Sequence, residues 1–477
     1  MSGAVSRIVR RFHREEKGVV LILFLLLIVP LLLIIAVGID FGQTLIVKRQ
    51  LAGAIDAAAL AIAKLPTLTD TELNDKAEAF IRAFYPETGI GDLKGFTVTR
   101  TGPESNQEID ISATAEVPTT FMKLGGVDKL TVVVNSSVMR KDNNLEVVMV
   151  LDNSGSMAGA KLTALKAAAN TLVDILFGTD AVSDHIKIGL VPFVAGVNVN
   201  VASTTTWLDN GHPAPLNAQV FNNLAAGEST FTVLATMNGG IAANWRGCVR
   251  SRYNAGVDNL DTTDIPPDST NPATLFSAYF VPYLGANKTS YVNQGPTSLN
   301  NDGCGVSPIQ PLTDTKATIT AAINGMVANG NTNIPEALAW GWRVISPGVP
   351  FTEGVAYTQK DTIKAIILLT DGDNNAGTFS SYGTTTGNPQ LGSNSKAALD
   401  ARTTTVCNNV KADLDGDPTT KDILLYTITF SAPSSAIALM QNCATDAGKF
   451  FESPTATALQ SAFESIASGL SQLRLTQ

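Results

Sequence analysis

The chain has 477 residues, which at roughly 100–200 residues per domain predicts two or three domains. Hydrophobic residues make up 44% and charged residues 16%, enough apolar material for a sizeable core, and the formal net charge is −9. No basic patch rises above this acidic background, so charge excludes nucleic acid as a partner.

The first elements concern a membrane. Residues 1–17 are a basic head carrying Arg7, Arg10, Arg11, Arg14 and Lys17. Val19–Ile39 then runs apolar, broken only by Pro30 and Gly38. As a helix it can cross a hydrocarbon core of roughly 30 Å. The near C-terminal flank holds only Lys48 and Arg49. This asymmetry predicts a cytoplasmic N-terminus, with everything after Asp40 on the other side. A cleaved signal peptide is the rival reading, but the run is long for one and no A-x-A-like site follows it directly. Phe41–Lys64 is Ala-rich and free of Pro, so the helix is expected to continue through 18–64. That extension either packs on its own domain or, because small residues allow close approach, forms an oligomerising stalk. The first is favoured, and a homo-oligomer stays open.

Residues 65–141 predict a small α+β module. A short amphipathic helix is expected over 70–86. β-like runs follow at Phe96–Thr101, Glu108–Val117 and Leu130–Met139, with Gly125-Gly126 as a break. A spacer that lifts the next domain off the membrane is favoured over a binding role.

The domain over 142–477 begins with a strand at 145–151, LEVVMVL, apolar throughout except Glu146 and rich in Val, as a strand buried on both faces reads. It stops at Asp152-Asn153-Ser154-Gly155-Ser156, and a helical stripe of Leu162, Leu165, Ala169, Leu172, Val173 and Leu176 follows. A carboxylate and two hydroxyls thus sit at the carboxyl end of a central strand, where open α/β sheets bind ligands. Such hard oxygen donors suit Mg²⁺, Mn²⁺ or Ca²⁺. A metal-free helix cap is the bland reading, but it explains only this first piece. A strand at 185–193 follows, in which His185 is read as structural. From about 203 to 311 the periodicity is lost, too long a stretch for an ordinary loop, and an insertion on the ligand-side face of the sheet is expected. The pattern resumes near Thr313. A helix runs to about Met326, the Thr332 loop follows, and a helix opens at Ile334-Pro335. The strand at 363–369 leads to Asp371, with Asp373 near the rim. Helices at 396–413, 434–447 and 456–473, a strand at 423–430 and a short one near Phe450 close the domain. Strands alternating with helices predict α/β class: a doubly wound, mostly parallel sheet.

Four cysteines, Cys248, Cys304, Cys407 and Cys443, favour disulfides outside the cytoplasm over a zinc site, since no C-x-x-C or His pair accompanies them. Three pairings are open. Cys248–Cys304 and Cys407–Cys443 are favoured, the first two sharing the insertion and the second two flanking one strand.

Asp152-Asn153-Ser154-Gly155-Ser156 matches the D-x-S-x-S motif of von Willebrand factor A (VWA) domains. Thr332 in Gly330-Asn331-Thr332-Asn333 and Asp371 after Ile366-Ile367-Leu368-Leu369-Thr370 resemble the other two pieces of that family's metal-ion-dependent adhesion site (MIDAS). The block Glu16–Ala63, with Val37-Gly38-Ile39-Asp40 and the Ala-rich Ala54–Ala61, resembles the TadE/TadG-like segment of tight-adherence (Tad/Flp) pilus assembly proteins, whose TadG-type members also carry a VWA domain. Gly330–Pro347, with Trp340-Gly341-Trp342-Arg343, looks like the TadG-type VWA as well. Leu23 stands where a pseudopilin processing site would have glutamate after Gly18, so processing is not expected.

The resemblance implies a Rossmann-like VWA fold and a divalent cation, Mg²⁺ first and Mn²⁺ or Ca²⁺ next. Ser154, Ser156 and Thr332 would supply hydroxyls, and Asp152 and Asp371 charge, partly through water. One open position would take a carboxylate from a protein partner, another pilus assembly component. It also implies a single-pass inner-membrane protein with its bulk in the periplasm. A surface-exposed metal-dependent adhesin is the other reading. No G-x-S-x-G, H-E-x-x-H or phosphate loop appears, and Ser154 has no evident base, so an enzyme is not expected.

Overall fold

The computed structural model of the chain describes residues 19–63, 65, 68–85, 90–102, 106–141, 143–199, 206–208, 247–252, 260–271, 274–276, 303–377, 393–412, 414–417 and 422–476. The basic head, Gly18 and most of the 203–311 span lie outside the described residues. The chain divides into two compact units, Met1–Asp142 and Asn143–Leu475.

In the first unit, helix α1 (Val19–Ala63) is the one described helix long and apolar enough to cross a membrane. Its early side chains, such as Phe24, Leu26, Leu31 and Ile34, are more than half exposed. Further along, Val47, Leu51, Ala54, Ile55, Ala58, Ala59 and Ile62 are buried. Their spacing of three and four puts them on one stripe. That stripe packs on helix α2 (Asp70–Phe84) and on one face of an antiparallel sheet, β1 (Asp92–Thr101), β2 (Asn106–Pro118) and β3 (Lys129–Lys141), in the order β1-β2-β3. Of the small residues of the extension, Ala54, Ala58 and Ala59 are buried against its own domain. A reciprocal capping box starts α2: Thr69 Oγ1 accepts from Glu72 N–H at 3.3 Å, and Glu72 Oε2 accepts from Thr69 N–H at 2.9 Å.

The second unit is built on β4 (Asn144–Asp152), flanked in parallel by β5 (Ile186–Phe193) and β9 (Thr362–Thr370). β10 (Leu424–Phe430) and β11 (Phe450–Ser453) extend the parallel sheet beyond β9. On the other side β8 (Gln310–Thr313) pairs antiparallel with β5. The short β6 (Gly196–Asn198) and β7 (Cys304–Pro308) form a side ladder there. Counting β4, β5, β8, β9, β10 and β11 as first to sixth, the sheet reads 6-5-4-1-2-3. This is the doubly wound order, whose switch point lies between β4 and β9.

Both faces are covered, which is why β4 lacks polar alternation. Leu145, Val147, Met149 and Leu151 pack under α3 (Ala160–Phe177), α4 (Lys316–Asn324) and α8 (Ala456–Thr476). Val148 and Val150 pack under α5 (Ile334–Ile345), α6 (Lys396–Val410) and α7 (Ser434–Cys443). Helix α5 lies so close to the sheet that a Cβ on Gly341 would stand 2.4 Å from Val150 Cγ2.

Two findings bear on the insertion. The sheet takes the chain back at Cys304, inside the span read as an insertion without clear period. Of the segment expected on the ligand-side face, the described Trp207, Leu208 and Phe276 join the buried cluster that contains α5, with Phe276 4.9 Å from Trp340 between ring centroids. Arg343 of α5 donates to the carbonyls of Leu260, Asp261 and Thr263. Buried aromatics and a guanidinium whose Nε and Nη2 donate to main-chain oxygens hold a segment that has no period of its own. The structure joins Cys248 to Cys304 and Cys407 to Cys443.

Candidate metal centre

The site forms where β4 and β9 end. Asp152 closes β4 with its carboxylate fully buried. Its Oδ1 accepts the Ser154 N–H at 2.8 Å, and its Oδ2 accepts the Thr370 hydroxyl at 2.8 Å. Ser154 Oγ lies 3.0 Å from Ser156 Oγ, and Ser156 Oγ donates to Asp371 Oδ1 at 2.7 Å. Hydrogen bonds thus relay Asp152–Ser154–Ser156–Asp371, the first through the Ser154 main-chain N–H, and join two loops that lie 215 residues apart in sequence. The other carboxylate oxygen of Asp371 accepts from Lys161 Nζ at 2.7 Å.

Thr332 is placed by the main chain. Gly155 N–H donates to Gly330 O at 2.9 Å, and Thr332 and Asn375 exchange two backbone hydrogen bonds at 2.9 Å each. Gly330 makes this turn with φ +73°, a conformation that favours glycine. Asn374 Oδ1 then accepts the Ile334 N–H at 2.9 Å and caps α5. The loops after β4 and β9 and the loop before α5 are therefore laced into one body. No hydrogen bond joins the Thr332 hydroxyl to the relay among the contacts described. Asp373, expected near the rim, accepts from Ser435 Oγ at 2.7 Å and pairs with Lys396. His185 Nδ1 meets Asn144 Oδ1 at 3.1 Å at the opposite end of β4, a structural contact.

Burial is the main force that pushes Asp152 up to about 6, and the neighbouring Asp371 adds to it, against hydrogen bonds from Ser154 and Thr370. Two buried carboxylates that repel beside serine hydroxyls suit a hard cation, because it would relieve both burial and repulsion. Among the described residues no three His, Cys, Asp or Glu converge. The donor set is thus two acids and hydroxyls, which fits Mg²⁺, Mn²⁺ or Ca²⁺ and not Zn²⁺. Ser154, Ser156 and Thr332 are the residues that would hold such an ion directly, with Asp152 and Asp371 supplying charge. Sequence reasoning missed Lys161, Thr370, Asn374 and Asn375. None of the four is marked by a local pattern; Lys161 is simply a cation in the first turn of the helix after the motif.

The strand order defines a doubly wound α/β domain, which follows a membrane-length helix in the chain. Residues 18–63 match the family model described as "Putative Flp pilus-assembly TadE/G-like", so the chain carries a TadE/G-like segment at its N-terminus. Among solved structures, a von Willebrand factor type A protein from Catenulispora acidiphila is 12% identical, covers 79% of this chain and 49% of its own, and has a TM-score of 0.30. The pilus adhesin SpaC from Lactobacillus rhamnosus GG is 10% identical, with 81% of this chain and 35% of that one covered at a TM-score of 0.32. The vWF domain of the type V pili tip protein Mfa5 from Porphyromonas gingivalis is 11% identical, with 69% and 95% covered at 0.33. This chain therefore spans about half of the Catenulispora protein and about a third of SpaC. At these scores the fold assignment rests on the strand order. No curated protein matches the chain.

Proposed function

We propose that this chain is a membrane-anchored VWA protein that binds a protein partner through a divalent cation, in the assembly of Tad/Flp-type pili or the related secretion machinery. The relay Asp152–Ser154–Ser156–Asp371 carries the reading, because it gathers oxygen donors from separate loops at the switch point. The cation, Mg²⁺ first, supplies a point of positive charge with a position open to a carboxylate. The chain's residues orient it: Ser154, Ser156 and Thr332 offer hydroxyl oxygens, while Asp152 and Asp371 leave the charge incompletely neutralised. A partner, another pilus component, completes the shell with an Asp or Glu, so adhesion depends on metal and on that side chain. The role is binding, not catalysis. The basic head before α1 supports a cytoplasmic N-terminus and a periplasmic bulk.

The test is metal-dependent capture of pilus components by the full chain in detergent, beside Asp152→Ala/Asp371→Ala, together with cell fractionation. Capture that needs Mg²⁺ and is lost in the variant, with the protein retained in the inner membrane, supports the reading. Capture that ignores chelator overturns it. Surface exposure of the domain transfers the same site to the adhesin reading.

A further inference from the structure

The connection between β2 and β3, residues 119–128, ends in an apolar tip. Leu124 is 84% exposed, and Phe121 and Val127 are each 38% exposed. None of them joins the buried cluster of the first unit. The tip is nevertheless ordered. A 3₁₀ turn spans Met122–Gly125, Leu124 N–H donates to Phe121 O at 3.0 Å, and Val127 N–H donates to Met122 O at 3.1 Å. Gly126 closes it at φ +87°. A rigid loop that holds large apolar groups outward is unfavourable in water.

Its location supplies a solvent other than water. The carboxylate of Asp40 accepts three successive N–H groups of this loop, from Thr120 at 2.9 Å, Phe121 at 2.9 Å and Met122 at 2.7 Å. Asp40 is 1% exposed and is the first residue after the apolar run Val19–Ile39. That run rises about 31 Å at 1.5 Å per residue, close to the roughly 30 Å of a hydrocarbon core. The tip is therefore pinned where the hydrocarbon ends. Phe41, next on the helix, is 58% exposed. Lys123 and Lys129 are exposed beside the tip, with Asp128 as the opposing charge and Lys129 held by Glu116 at 2.6 Å. Apolar groups with neighbouring lysines at that level match the interface of a bilayer.

We propose that this tip is a second membrane contact, inserting Phe121, Leu124 and Val127 into the lipid interface beside α1. It fixes the tilt and rotation of the first unit on its anchor, with Asp40 as the clasp. The occupant is the lipid bilayer itself, and the proposal rests on α1 being membrane-embedded.

The test uses the full chain in liposomes of phosphatidylethanolamine and phosphatidylglycerol. A nitroxide is placed by Leu124→Cys, and its collisions with oxygen and with a water-soluble nickel chelate are compared. The four native cysteines are paired, so the label is unique. Leu31→Cys marks the apolar run, and Met139→Cys, 56% exposed at the far end of β3, marks water. The expected result is an oxygen excess at Leu124 close to that at Leu31, and nickel dominance at Met139. Nickel dominance at Leu124 with an oxygen excess at Leu31 overturns the tip while leaving the anchor standing. Nickel dominance at both overturns the anchor and the tip with it. Shielding of Leu124 from both quenchers shows protein covering the tip and overturns the lipid assignment.

Discussion

Gly341→Ala tests how closely α5 is seated on the sheet, and through α5 the placement of the Thr332 loop. The added Cβ would stand 2.4 Å from Val150 Cγ2, with Ile366 Cγ2 and Val148 Cγ1 at 3.8 Å each. Carbon–carbon contacts settle at about 3.5–4.0 Å, so the helix or Val150 has to move by more than about 1 Å. Val150 and α5 are fully buried, and overpacking at such a site costs about 1–3 kcal/mol. Alanine gains back up to about 1 kcal/mol as a better helix former than glycine. The net expectation is a loss of about 1–2 kcal/mol, read as a lower urea midpoint with an unchanged slope. Val150→Ala alone loses about 2 kcal/mol by cavity formation. The double variant should lose less than the sum of the two, by about 1 kcal/mol or more, because the methyl that clashes is gone. A neutral or stabilising Gly341→Ala, or strict additivity, would refute the close seating.

Lys161→Met removes the ammonium from Asp371. The lysine side chain is 33% exposed and the aspartate 0%, so the loss is discounted from a buried pair to about 1–2 kcal/mol. Mg²⁺ affinity should rise in this variant by calorimetry, since lysine and cation compete for one carboxylate; a fall would mean that lysine positions Asp371 for the ion. Asp152, raised to about 6, sets a pH window. Its folded value lies above the unfolded one near 4, so without cation this group favours the fold increasingly as pH falls from about 6 to 4. Cation binding needs the deprotonated form, so affinity should fall about tenfold per unit below pH 6. A flat titration from pH 7 to 5 would contradict the assignment. Cys248→Ser with Cys304→Ser opens a loop of sequence separation 56 and should cost up to about 4 kcal/mol, measured by urea unfolding.

Much of the site was legible because its pieces are local. The strand 145–151 stops at a cluster of oxygen donors, and Thr370-Asp371 ends a second apolar run; each end is a short-range pattern. The strand-helix alternation fixed the sheet class, since buried parallel strands read as continuous apolar runs. What stayed hidden was long-range. Lys161 is an ordinary helix cation until folding brings Asp371 beside it. Asn374 caps a helix 40 residues before it. Phe276 and Trp207 lie in stretches without period, and only burial against Trp340 gives them a place. β6 and β7 are too short to show alternation. The continuation of α1 was legible from its Ala-rich stripe, but its clasp at Asp40 was not, because the partner loop lies 80 residues on.

The most direct measurement of the central claim is calorimetric titration of Mg²⁺, Mn²⁺ and Ca²⁺ into the full chain, beside Asp152→Ala/Asp371→Ala, each with and without an acidic peptide. Saturable binding that the double variant loses, and that the peptide tightens, is the predicted result. Absence of binding in the folded parent, even with the peptide present, would make the relay a structural cap and contradict a metal-dependent adhesion site.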